Sequence, residues 1–168
     1  VVAGSTLASD ASRVVTIGKG GNDTRSYPPM KQSGGGPDPF GYQWRDSNEP
    51  GGPVFNWIDV SGGTSIALDD DDFETGIPLG FEFGYYGEYF TTIGVGSNGW
   101  LSFNGENNWF PGNVPYADTF VGAIAPYARD LFAPGAMYIR YRTFGDAPNR
   151  QFVVEYNRVP DWNGISHK

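Results

Sequence analysis

The chain has 168 residues, a formal net charge of −8 and no cysteine. That length suits one domain with a sizeable core. The charge argues against nucleic acid, because phosphate contacts need clustered Lys and Arg, and against anionic lipid; the missing cysteine excludes thiol catalysis, disulfides, zinc-thiolate sites and covalent haem. With 25 glycines, 13 prolines and 16% aromatic residues, the composition reads as all-β with many short strands and little or no helix. No window of roughly 18 apolar residues marks a membrane span. The chain starts at Val1 without a basic leader, as either a processed or a trimmed N-terminus does.

Residues 1–40 are weakly patterned and read as an arm or linker. They hold one candidate strand, "RVVTIG" (13–18), a sequon at Asn22, and the linker-like glycines 34–36 ahead of Pro37 and Pro39. Residues 41–168 are regular and predict an antiparallel β-sandwich of jelly-roll type. Alternation predicts strands in "VFNWIDV" (54–60), "TSIAL" (64–68), "IPLGFEFGYYG" (77–87), "YFTTIGVG" (89–96) and "GWLSFN" (99–104). "VGAIAPYARDLF" (121–132) starts apolar and ends in a Pro-broken loop. In "AMYIRYRTF" (136–144), Met137, Ile139 and Tyr141 face the core while Arg140 and Arg142 face solvent, within reach of Glu155 and Asn157 on "RQFVVEYNRV" (150–159). Phe152, Val154 and Tyr156 of that last run point inward.

Asn98 and Gly99 predict a type I′ hairpin turn, in which both central residues need positive φ. Gly99→Val should then destabilise the fold. Ile93 and Val95 before the turn, and Leu101 and Phe103 after it, each share a face. Asp69, Asp70, Asp71 and Asp72 are the densest charge cluster. They form either a solvated acidic loop or a calcium site, since calcium takes carboxylate and carbonyl oxygens. The run lacks the spaced pattern of an EF-hand. Trp100, Trp109, Phe110 and Trp162 lie among Asn104, Asn107, Asn108 and Asn163, as glycan-stacking rings would, or as caps on a sandwich core. Catalysis has little material. His167 is the only histidine and lies near the chain end. Asp59, Glu82, Asp118, Asp130 and Glu155 are candidates for a glycosidase pair, but 19 acidic residues make some pairing inevitable.

Three motifs occur in order: "FEFGYYG" (81–87), "GSNGWLSF" (96–103) and "IAPYARDLF" (124–132). They resemble the extracellular β-domain of secreted bacterial and archaeal surface proteins, often found beside subtilisin-like proteases. They are also similar to nidogen-type domains, whose corresponding motifs read "FPFYG", "SSNGWLSF" and "IAPFWDDL". The lead-in "YQWRDSNEPGGPVFNWIDVS" (42–61) resembles the bacterial branch, and the likeness covers about residues 40 to 160. Ala128 departs from it, where an aromatic residue is usual. The resemblance implies an extracellular or cell-surface module of adhesive, assembly or accessory role, with no catalytic residues and no defined ligand.

The reading is therefore a non-catalytic structural or assembly module. Alternatives are a carbohydrate-binding or adhesion module and an accessory domain of a secreted protease. Expected partners are copies of itself, the rest of a processed parent chain, or glycans. No cofactor other than calcium is implicated. Turn chemistry at 161–164, with no strand after it, predicts a sandwich lacking its closing C-terminal strands. A strand from elsewhere, the remainder of a nicked chain or 13–18 of a second copy, would complete it, or 13–18 folds back and closes its own domain.

Overall fold

A computed structural model of the chain describes residues 34–47, 49–104, 122–162 and 164. The candidate strand 13–18, Asn22, Asp118, Trp109, Phe110 and His167 lie outside them. Among the described residues there are nine strands and no helix: β1 (Gly34–Gly35), β2 (Trp44–Arg45), β3 (Thr64–Leu68), β4 (Phe73–Tyr85), β5 (Glu88–Gly96), β6 (Trp100–Ser102), β7 (Ala123–Ile124), β8 (Gly135–Phe144) and β9 (Gln151–Tyr156). Among the described residues no helix is long and apolar enough to cross a membrane.

All pairings are antiparallel. A four-stranded sheet runs β4-β5-β6-β7 and a three-stranded sheet runs β3-β8-β9. Their inner faces share one core. Ile77, Leu79, Ile93 and Val95 come from the first sheet, and Ile66, Leu68 and Ile139 from the second. Leu131, Ala133 and Val159 close the cluster from the connecting segments. Period-two alternation puts each set on one face, so face-to-face packing is how both sheets leave water. Two hydroxyls also cross the gap. Thr143 Oγ1 donates to the Leu79 carbonyl at 2.7 Å, and Tyr156 Oη to the Gly96 carbonyl at 2.7 Å. The fold is the all-β sandwich that the alternation predicts.

Two local expectations need correction. Residues 52–60 form no strand, and within them Val54, Phe55 and Trp57 are exposed while Val60 alone is buried. Alternation reports which side a residue faces, not whether a neighbouring strand exists. Met137 is 65% exposed and not in the core. Ile66 faces Ile139 but Leu68 faces Gly135, so a bulge on β8 turns Met137 outward. On β4, Leu79 is buried, yet Phe81 is only half-buried and Phe83 is exposed, because the ladder breaks between Pro78 and Phe83. Arg140, by contrast, stands directly opposite Glu155 and pairs with it at 3.7 Å, and Arg142 is exposed with its guanidinium over Phe144.

Candidate functional site

The second and third motif segments and the acidic run 69–72 meet at one end of the sandwich, while the first motif, 81–87, runs into the β4–β5 turn at the other end of those strands. Between the paired Gly96 and Trp100 lie three residues, 97–99. Gly99 has φ 76°, while Asn98 is not left-handed. The connection is thus a three-residue loop ending on a left-handed glycine, not the expected type I′ pair. A Cβ on Gly99 would collide with the Tyr127 carbonyl oxygen, so conformation and space both demand glycine.

Asn98 is fully used. Its Nδ2 donates to Asp71 Oδ1 at 2.8 Å, and its Oδ1 accepts from the Leu131 N–H at 2.8 Å. Its carbonyl accepts from the Arg129 N–H at 3.1 Å. One buried amide therefore ties the hairpin to the acidic loop and to the 127–131 segment. Trp100, 1% exposed, stacks on Phe73 at 4.7 Å. Gly94 and Gly96, on one face of β5, leave the room: a Cβ on either would strike the Phe73 or the Trp100 ring. Trp100 is a packing residue, which overturns its assignment to glycan stacking.

Of the four consecutive aspartates, Asp70 and Asp71 meet Asp130, with one carboxylate oxygen from each within 4.8 Å of the others. Asp71 is left-handed (φ 49°), and this turn lets neighbouring rather than alternate carboxylates converge. Asp69 and Asp72 do other work. Asp69 Oδ1 accepts from the Asp70 N–H, while Asp72 accepts from the N–H groups of Asp69 and Phe73. Asp72 also exchanges two hydrogen bonds with Ser97. Arg129 adds an ion pair to the buried Asp161 at 2.9 Å. The three converging carboxylates supply part of the roughly six to eight oxygens that calcium takes. Asp130 belongs to this group through tertiary folding, and only its place in the "RDL" motif hints at it in the sequence.

The remaining candidates scatter. Trp162 is exposed and lies edge-on to Phe132 at 5.8 Å. Asp59 is exposed and accepts from the Ser61 N–H and hydroxyl. Those hydrogen bonds, the backbone one foremost, hold its pKa below the ordinary value. Glu155 is engaged with Arg140. Exposed rings outside those candidates lie upstream, at Phe40, Tyr42, Trp44, Phe55 and Trp57, and on the sandwich itself, at Phe83, Tyr86, Tyr89 and Tyr127.

That upstream stretch is anchored. Asp38 closes a turn by accepting from the N–H groups of Phe40 and Tyr42, each at 2.9 Å. Tyr42 stacks on Tyr86, at the tip of the β4–β5 hairpin, with centroids 4.6 Å apart, and Phe40 meets Tyr86 edge-on at 5.1 Å. Desolvation works to raise the Asp38 pKa but is outweighed by hydrogen bonds from Tyr42, Tyr86, Phe40 and Gly41, so it lies below the ordinary value. The Tyr86 hydroxyl, which donates to Asp38, is shifted upward by that bond. Ordered contacts therefore reach back to Gly34, across the 40/41 division read from composition.

The model of the family described as "NIDO related" matches residues 51–167. No curated protein and no solved structure matches the chain. The match covers most of the chain and includes all three motifs: this protein belongs to the NIDO-related family.

Proposed function

We propose that this chain is a non-catalytic structural and assembly module of a secreted or cell-surface protein, associating with copies of itself. The observation that carries the reading is the run 54–58. Val54 and Phe55 are 88% and 85% exposed and Trp57 about half exposed, and no strand pairs with the run among the described residues. An unpaired segment of strand-like alternation carrying large exposed apolar side chains suits strand addition to a second copy. Beside it, Ile58 lines a groove of about 380 Å³ with Leu79, Phe81, Phe83, Phe103 and Phe152. This groove opens beside β9, which has β8 as its only strand neighbour among the described residues. The run and the groove adjoin through Ile58, so one continuous apolar surface is open to a second copy.

Family membership supports the extracellular setting. The use of Asn98, Gly99 and Trp100 for tethering and packing supports a role without chemistry at the motif. Calcium at Asp70, Asp71 and Asp130 belongs to the same proposal, as an ion bracing two loops. Size-exclusion chromatography with light scattering tests the assembly reading. The wild-type mass should rise with concentration, and the double variant Phe55→Ser/Trp57→Ser should stay monomeric with an unchanged Tm. A wild-type monomer across the whole concentration range contradicts it.

A further inference from the structure

The β1–β2 hairpin lies almost wholly upstream of the family match and carries a cleft of its own. Its volume is about 710 Å³, within the ~300–1,000 Å³ of small-molecule sites. Its lining includes Gln43, Trp44, Arg45 and Glu49 along with Gly34, Gly35 and Gly36. The Trp44 indole lies against Gly35: a Cβ there would fall 2.9 Å from Cε2 and closer still to Nε1. Backbone thus supports the ring, while half of the residue remains open to solvent. An indole has a flat apolar face and needs no such exposure to stabilise a two-residue hairpin. Its neighbours supply what an indole lacks: an amide that donates and accepts, a guanidinium that donates, a carboxylate that accepts.

We propose that this cleft binds a pyranose unit of an oligosaccharide, with Trp44 as the stacking platform. A pyranose presents an apolar C–H face and a rim of hydroxyls that both donate and accept. This matches a supported ring flanked by Gln43, Arg45 and Glu49. A phosphorylated ligand fits worse, because Arg45 is the one cation in the lining among the described residues and Glu49 shares the site. A purely apolar ligand would strand the charged groups. The site is also held in shape before binding, by the Gly34↔Arg45 and Gly35↔Trp44 pairs and by the docking of Phe40 and Tyr42 on Tyr86. This goes beyond the assembly reading and uses none of its exposed residues.

The test titrates the full chain with cellohexaose, chitohexaose and mannohexaose up to millimolar concentration, followed by calorimetry. Saturable binding to at least one is expected. Trp44→Ala should weaken it roughly tenfold or more, with Tm unchanged, as loss of a central aromatic contact does. Trp44→Phe should retain part of the affinity. Trp162→Ala, which removes an exposed ring elsewhere, should bind as wild type. If Trp44→Ala fails to fold, Gln43→Ala serves in its place and should weaken binding several-fold. The proposal is overturned if none of the three sugars binds saturably, if the cleft variants bind as wild type, or if a proline-rich decapeptide binds at Trp44 and the sugars do not.

Discussion

The motif junction and the upstream surface differ in how they use polar and aromatic side chains. At the junction, Asn98 is buried with both ends of its amide bonded, and Trp100 is buried against Phe73. Along residues 40–57, Phe40, Tyr42, Trp44, Phe55 and Trp57 leave much of their area in water. Asn98, Gly99 and Trp100 of the second motif are therefore committed to holding the two sheets and the neighbouring loops together. The most exposed apolar groups, Val54 and Phe55, lie upstream of all three motifs, although Phe83, Tyr86 and Tyr127 inside the motifs are exposed as well.

Substitutions can break that contrast. The largest effect should come from Gly99→Val, which meets both the left-handed backbone and the Tyr127 carbonyl. A loss of about 2–4 kcal/mol is expected in urea melts. A midpoint like that of wild type would remove the steric argument. Asn98→Ala follows, at about 2–3 kcal/mol, because it strands the Leu131 N–H inside the protein. Asn98→Asp keeps that acceptor but sets a second carboxylate against Asp71. Its deficit relative to wild type should shrink on acidification towards about pH 4, where carboxylates begin to protonate.

Calcium sharpens the junction side of the comparison. Saturating calcium should raise Tm by several degrees over EDTA, and about 2.7 kcal/mol is available at a hundredfold excess over Kd. Asp130→Asn should abolish the shift. Equal midpoints in EDTA and calcium would end the calcium proposal.

Tyr156→Phe should cost about 1 kcal/mol through the lost bond to the Gly96 carbonyl. It also changes the pH response. Burial pushes the Tyr156 phenol far above its ordinary value. A raised folded pKa contributes stability that is complete below the unfolded value of about 10 and lost as pH rises through the folded one. The variant should therefore lose less stability than wild type in strong alkali. The smallest effect belongs to the surface. Asp38 has a lowered pKa, so its contribution is present above the ordinary carboxylate value and lost as pH falls through the folded one. Asp38→Asn should leave Tm nearly unchanged while loosening Phe40 and Tyr42 from Tyr86, read as faster exchange of their amides.

Strands were legible where alternation and burial agree. Ile93 and Val95 sit in the core and Leu101 and Phe103 pack against it, as their spacing predicts. Gly99 was legible for its positive φ, although the loop proved one residue longer. Met137 was not, because a bulge is set by the partner strand and leaves no local mark. The run 54–60 misled for a related reason: its alternation is strand-like, but pairing is a property of two segments. At the candidate site, the sequence pointed to Asp70 and Asp71, while Asp130 joins them only when the sandwich closes. Trp100 was misassigned because its sequence neighbours are polar turn residues, whereas its spatial neighbours are Phe73 and Gly96.

Residue-resolved hydrogen exchange at a dilute and a concentrated protein sample tests the division most directly. The amides of Ser97, Arg129 and Leu131, bonded to Asp72 and Asn98, should exchange slowly in both samples. The amides of residues 54–58 should exchange fast when dilute and become protected when concentrated. Fast exchange at Ser97, Arg129 and Leu131, or exchange at 54–58 that ignores concentration, would contradict the account.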